Sequence, residues 1–195
     1  MTPAVVALFP ELTDVNGDAQ NALVLQRRAE WAGEDAQVVP VALGAAPAVD
    51  PVAVVLGSRV DLGDGGIVEG IGLLPGSTLP LEIRVTDDLV VDAAEGRLVG
   101  YENHSRGFRL DPGVPALGRV VHGIGDGRGV DGVRHGSVLG TRMHGPVLAK
   151  NPALADAVLA RAFGRRVVPT AEQARVADVA AAAIRTRLLN RIALR

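Results

Sequence analysis

Residues 4–41 read AVVALFPELTDVNGDAQNALVLQRRAEWAGEDAQVVPV, and this stretch decides the fold class. Ala4-Val5-Val6-Ala7-Leu8-Phe9 is a short apolar run closed by Pro10, which reads as a buried strand. Asn16-Gly17-Asp18 is a turn with Asp18 as the expected helix N-cap. The pattern then predicts a helix from Ala19 to Ala32, with Ala22, Leu25, Ala29 and Ala32 on one face and Gly33 ending it. Gln37-Val38-Val39-Pro40-Val41 reads as a second strand. Pro51-Val52-Ala53-Val54-Val55-Leu56, further on, reads as a third. Strand, helix, strand with continuous apolar strands implies a parallel sheet covered on both faces, that is, an α/β fold.

Outward from that unit the character changes. Residues 57–76 are rich in glycine and carry no helical period. From Leu79 to Gly132 apolar and polar residues alternate, as in Leu81-Glu82-Ile83-Arg84-Val85 and Arg97-Leu98-Val99-Gly100-Tyr101, which predicts short β elements. Ser137 to Thr141 reads as a further strand. Helical periodicity returns after Asn151-Pro152, a cap followed by proline at the first helical position, with Leu154, Val158 and Ala162 on one face. Thr170 with Gln173 has the spacing of a capping box for a last helix through Leu189, whose apolar positions are Val176, Ala180, Ala183 and Ile184. No repeat and no linker interrupts the chain, so residues 1–195 are expected to form one domain.

Composition narrows the chemistry. The chain has 195 residues, 48% hydrophobic and 22% charged, a balance suited to a globular core built mostly of aliphatic side chains. A net charge of −2 offers no basic field for nucleic acid. There is no cysteine, which rules out disulfides, thiolate metal sites and a thiol nucleophile. No apolar run reaches the length of roughly 20 residues that a membrane span needs. Met1-Thr2-Pro3 lacks the features of a secretory leader, so a cytoplasmic protein is expected.

The four histidines, His104, His122, His135 and His144, share no metal-ligand spacing, and no metal or other cofactor is implied. His144 follows a predicted strand in Thr141-Arg142-Met143-His144-Gly145-Pro146, and open α/β sheets carry their reactive residues at strand carboxyl ends; a surface-loop histidine is the plainer reading. His104 sits in the polar cluster Tyr101-Glu102-Asn103-His104-Ser105, a solvated loop or a set of pocket-lining donors and acceptors. Ser58 follows a strand but lacks the Gly-x-Ser-x-Gly elbow, and Gly57-Ser58 reads as a tight turn.

Several segments, in order, resemble the glutamine amidotransferase subunits of lipid II isoglutaminyl synthases. Leu8-Phe9-Pro10-Glu11-Leu12, Asn16 to Asn21 and Leu25 to Trp31 resemble the family's opening. Glu69-Gly70-Ile71-Gly72-Leu73-Leu74-Pro75 with Thr78 resembles its central segment. Gly100-Tyr101-Glu102-Asn103-His104 resembles its Gly-Tyr/Phe-Glu-Asn-His motif, and Gly140 to Pro152 its Gly-Thr-Tyr-x-His-Gly-Pro-x-Leu-x-x-Asn-Pro block. Cobyric acid synthase-type amidotransferase domains share parts of this pattern.

The resemblance implies a flavodoxin-like class I glutamine amidotransferase fold. It also implies a chemistry in which a cysteine on a strand-to-helix elbow attacks the glutamine amide and a histidine acts as base. Ammonia then passes to a Mur-ligase-type partner that uses ATP to amidate the peptidoglycan stem. By the same resemblance His144 matches the catalytic histidine, and Glu102, Asn103 and His104 match the segment near the glutamine. Gly57 and Arg106 join them as substrate-binding candidates, with Arg109 the other arginine for the substrate carboxylate. The chain departs from the family at three points. No cysteine is present, and residues 59–68 alone stand where the family carries a helix, a strand and the elbow, so the fold is expected to be truncated in the centre. Ser105-Arg106-Gly107 replaces the Gly-Arg that follows the Asn-His motif. Arg142-Met143 replaces the aromatic before the histidine. The expected protein is therefore an amidotransferase-like subunit, heterodimeric with a Mur-ligase-type enzyme, that does not hydrolyse glutamine itself. The alternatives are a non-catalytic partner-binding module, a shortened reading of an active glutaminase gene, and, ranked last, an unrelated hydrolase using Ser58 and His144.

Overall fold

The computed structural model describes residues 4–8, 17–41, 57–61, 64–69 and 72–194. The chain forms mixed α/β structure in two compact units, one built from Met1–Ala53 and His144–Arg195, the other from Val54–Met143.

In the first unit, β1 (Ala4–Leu8) and β2 (Gln37–Val41) pair in parallel with Ala4 opposite Gln37 and Leu8 opposite Val41. Parallel neighbours need a crossover, and α1 (Gln20–Trp31) supplies it. This is the strand, helix, strand unit read from residues 4–41. Asp18 does not cap α1. The N-cap is Ala19 and no side chain bonds the first turn. The helix ends at Gly33, with φ +77°, a conformation that residues with a Cβ rarely adopt.

The C-terminal segment of this unit adds α2 (Val147–Lys150), α3 (Pro152–Phe163) and α4 (Glu172–Ala193). Ala29, Ala36, Leu159 and Val167 form a buried cluster, with Leu25, Ala32 and Phe163 packed against it. Each large aliphatic side chain so buried contributes about 1.5–3 kcal/mol. Arg28 is buried beside this core and ties three helices together. Its Nε and Nη2 donate to both carboxylate oxygens of Asp156 on α3 (2.7 and 2.9 Å), and its Nη1 donates to Asp178 on α4 (2.7 Å). Burial works against the guanidinium charge, but the bonds to the two carboxylates outweigh it and raise its pKa.

Two expectations for the last helix fail. The Thr170–Gln173 capping box does not form, since the N-cap is Ala171 without a side-chain bond. Instead the Thr170 and Ala171 N–H groups both donate to the Trp31 carbonyl (3.0 and 3.2 Å), which satisfies a free carbonyl at the end of α1. The buried face of α4 is Ala174, Ala181 and Leu188, while Val176, Val179 and Ile184 are exposed. Small alanines allow close helix approach, so the packing face is the stripe of smaller side chains. On α3, Leu154 is buried as read, but Ala155 and Leu159 join it in the core in place of Val158 and Ala162.

The second unit is mostly antiparallel. Its centre is β5 (Leu74–Ala93), which forms a long hairpin with β6 (Gly96–Leu110), with Ala93 opposite Gly96 and Gly76 opposite Leu110. The alternation read as short β elements therefore belongs to two long strands, broken only by an irregularity between Pro80 and Val85. On its other edge β5 pairs first with β3 (Gly57–Asp61), in parallel, and then with β7 (Gly118–His122). The strands β4 (Ile67–Glu69) and β8 (Val130–Asp131) extend the sheet to the order β4-β3-β5-β7-β8. A separate pair joins β9 (Val133–His135) to β10 (Val138–Gly140).

Gly57 and Ser58 thus open a strand and not the tight turn read from the sequence. The third strand read at Pro51–Leu56 lies outside the described residues. Leu89, Val90 and Val91 are buried in succession on β5, as are Leu98 and Val99 on β6, so this stretch of the hairpin is covered on both faces.

Candidate functional site

The residues singled out in the sequence fall into two clusters, one in each unit. In the first unit the segment from His144 to Asn151 is held by side chains from the start of α1 and from α4. Asp18 Oδ2 lies 2.8 Å from His144 Nδ1. One turn along, Asn21 Oδ1 accepts the Leu148 N–H (2.9 Å), and Asn21 Nδ2 donates to the Asp18 carbonyl (3.0 Å). Gly17, in the turn before α1, adopts φ +76°, a conformation that residues with a Cβ rarely take.

At the far end of the segment Asn151 is buried. Its Nδ2 donates to the Val147 carbonyl (2.8 Å), its Oδ1 accepts from Arg185 Nη1 (2.6 Å), and its carbonyl accepts the Leu154 and Ala155 N–H groups. Asn151 therefore starts α3 through its main chain, while its amide joins α2 to α4. Burial lowers the Arg185 pKa. Between these clamps the Asp18 and His144 side chains each remain 27% exposed, so the pair is open to solvent. Sequence reading missed Asp18 as a partner of His144. The local signal pointed to a cap, but the position three residues on is Asn21, not the Glu or Gln of a capping box.

In the second unit, β6 presents Glu102, His104 and Arg106 at alternate positions and Asn103 on the opposite face. Glu102 is wholly buried. Its Oε1 accepts the Ile124 N–H (2.7 Å), its Oε2 accepts the Gly125 N–H (2.8 Å), and His104 Nε2 stands 3.2 Å from Oε2. The Gly123-Ile124-Gly125 turn wraps this carboxylate so tightly that a Cβ on Gly123 would lie 2.6 Å from Oε1. His104 Nδ1 is buried and has no hydrogen-bond partner among the described residues.

Asn103 is not with them: its Oδ1 accepts from Arg84 Nη2 on the exposed face (2.7 Å). Arg106 Nη2 donates to the Asp61 carbonyl on β3, while Arg109 is exposed. Gly57 opens β3. Thus Glu102 and His104 stand together, Asn103 and Arg106 serve other contacts, and His144 belongs to the other unit.

Just before His144, Thr141, Arg142 and Met143 close the second unit. Asp131 is wholly buried and accepts the Thr141 hydroxyl (2.6 Å) and the Arg142 N–H (3.2 Å). Burial raises its pKa, against the opposing effect of the Thr141 hydrogen bond and the Arg142 charge. Burial likewise lowers the Arg142 pKa, opposed by the charges of Asp131 and Asp126. The arginine that stands where the amidotransferase pattern has an aromatic is thereby answered by two buried carboxylates. Met143 fills the space above Gly100, where a Cβ would come within 2.7 Å of the methionine Cβ.

Among the described residues no group of three or more His, Asp or Glu is placed to hold a metal ion, and no helix is long and apolar enough to cross a membrane. With no cysteine in the 195 residues, the chain offers no thiol to attack an amide.

Residues 54–152 match the CobB/CobQ-like glutamine amidotransferase domain. The chain is 36% identical over 117 residues to the lipid II isoglutaminyl synthase (glutamine-hydrolyzing) subunit GatD of Staphylococcus aureus (strain N315), an alignment covering 58% of this chain and 47% of that protein. It is 32% identical over 108 residues to the subunit of the same name from Streptococcus pneumoniae (strain ATCC BAA-255 / R6), covering 52% of this chain and 41% of that one. The chain spans under half the length of these curated relatives.

Proposed function

The chain belongs to the CobB/CobQ-like glutamine amidotransferase family, and from that premise we propose that it serves as an amidotransferase-like subunit of a peptidoglycan (lipid II) amidating complex without hydrolysing glutamine itself. The observation that carries this reading is a contrast within the chain. The histidine segment of the family pattern is present and held at both ends, by Asp18 and Asn21 at one and by Arg185 at the other, while no cysteine exists anywhere in the sequence. Amide hydrolysis by the family route needs a thiolate and oxyanion donors on one rigid turn. Without them only weak residual rate enhancement remains.

The relatives' names supply the substrate class and the assembly. Both are subunits of a glutamine-hydrolysing lipid II isoglutaminyl synthase. In this proposal the chain works in the cytoplasm and pairs with a Mur-ligase-type enzyme. His144, Glu102, Asn103, His104, Arg106 and Gly57 are what persists of the glutamine-handling residues. The two units are halves of one amidotransferase-like domain, a reading supported by the family match running from residue 54 through Met143 to residue 152.

The test is co-purification from the native cell with the chain as bait. A Mur-ligase-type protein recovered at stoichiometric level is the expected result, and its absence from a complex that otherwise holds together contradicts the proposal. A second reading, a shortened copy of an active glutaminase, rests on residues 59–68 standing where the family has its elbow. An in-frame, cysteine-encoding segment between codons 57 and 69 of the genomic DNA would establish it.

A further inference from the structure

We propose that α4 is a self-association surface, on which a second copy of this chain lays its own α4 antiparallel about a twofold axis. The inference goes beyond the proposed function and does not rest on it.

The outer face of α4 lacks the charges that usually keep an exposed helix in water. Ala174, Ala181 and Leu188 pack inward. On the other side Val176, Val179 and Ile184 are 58%, 60% and 49% exposed, and Ala180 and Ala183 lie exposed between them. From Val176 to Ile184 the only charged residue is Asp178, and its carboxylate accepts from Arg28. Single exposed aliphatic side chains are ordinary. A continuous stripe of them over about two and a half turns marks a contact surface.

Charge decides the occupant. Along its outer face α4 carries Glu172 at its start and Arg187 and Arg191 near its end, all exposed. A parallel copy sets arginine beside arginine. An antiparallel copy, with the axis between Ala181 and Ala182, sets Glu172 opposite Arg191, Val179 opposite Ile184 and Ala180 opposite Ala183, and symmetry repeats each pair. Val176 then meets Arg187, whose aliphatic stem covers it. Glu172 already accepts from Arg175 on its own helix, but that pair is exposed and a carboxylate has about four acceptor sites. Alanines at the centre let the two helices close in, as Ala174 and Ala181 do on the inner face. One helix pair is a small interface, so the dimer is a weak one.

The test is sedimentation of the full chain, alone, from about 1 μM to about 1 mM, the range of weak association. A monomer–dimer equilibrium inside that range is expected. Val179→Glu, which buries an unpaired charge in the interface, should weaken it by at least about tenfold while leaving the urea midpoint of the monomer unchanged. Ala183→Glu gives the same reading should Val179→Glu fail to fold. Glu172→Arg and Arg191→Glu should each weaken the dimer by about three- to tenfold, and the double exchange should restore it.

Direction is read by oxidative cross-linking, which is clean because the chain has no cysteine of its own. Val176→Cys and Arg187→Cys chains are mixed, one of them 15N-labelled. The expected product joins unlike chains, since antiparallel helices hold the two copies of position 176 about 16 Å apart along the axis. Like–like products overturn the proposal, as does a dimer indifferent to Val179→Glu and Ala183→Glu. A monomer at every concentration overturns it too. If the stripe is then protected only on adding a Mur-ligase-type protein, the occupant is that protein and not a second copy.

Discussion

Glu102 and Asp18 each stand within hydrogen-bond distance of a histidine, and they are used in opposite ways. Glu102, in the sheet unit, is wholly buried and its oxygens meet two backbone N–H groups of the 123–125 turn as well as His104. Asp18, in the helical unit, meets His144 and stays open to water. The same pair of residue types is architecture in one place and accessible chemistry in the other. Burial and the number of backbone donors decide which.

The largest effect is expected where the carboxylate is buried. Glu102→Ala leaves the Ile124 and Gly125 N–H groups and His104 without their acceptor and should cost about 3–5 kcal/mol, read by urea unfolding. A cost under about 1 kcal/mol would break the comparison, placing Glu102 with the accessible groups.

Next, Arg28→Ala asks whether burial or the particular unit sets the scale. Arg28 is buried, but Asp156 and Asp178 are 32% and 45% exposed and can rehydrate. The expected loss is about 2–3 kcal/mol, between the two extremes. An effect as small as that of a surface pair would show that the three-helix junction does not depend on it.

Asp131 sharpens the comparison through pH. Its pKa in the folded chain is raised by burial above the unfolded value of about 3.9. The folded form therefore binds the proton more tightly, and stability rises as pH falls through the folded pKa and levels off below about 3.9. Asp131→Asn removes that contribution. The difference between its unfolding free energy and that of the unaltered chain should change with pH across that acidic window and be flat above it. Parallel profiles throughout would contradict the burial argument.

The smallest stability change belongs to Asp18→Ala, expected at less than about 1 kcal/mol because both side chains keep 27% of their surface in water and can rehydrate. This substitution should leave the urea midpoint nearly unchanged. A large loss of stability would make Asp18 a structural residue like Glu102.

What was legible in the sequence follows the range of the interaction. The β1–α1–β2 unit could be read because an apolar run, a Gly17 turn and Gly33 are local signals, and the parallel pairing follows from the crossover length. The long β5–β6 hairpin was read as shorter pieces because its irregularity at Pro80–Val85 breaks the alternation. The face of α4 was misread because Val176 and Ile184 are larger than Ala174 and Ala181, and hydrophobicity alone favours the larger stripe. Close packing favoured the smaller one.

The site shows the same divide. His144 could be singled out from its position after a predicted strand and from the pattern around it. Its partner could not, since Asp18 lies 126 residues away and has a ready local explanation as a cap. Glu102 belongs to a recognisable motif, but nothing in the motif tells that its oxygens hold the turn at Ile124 and Gly125.

The account stands or falls on whether this family member lacks a working nucleophile. The direct measurement is ammonia and glutamate release from glutamine by the purified chain, set against a protein-free blank and against His144→Gln. The predicted result is no turnover above the blank in either protein. Sustained release by the unaltered chain, abolished in His144→Gln, would contradict it.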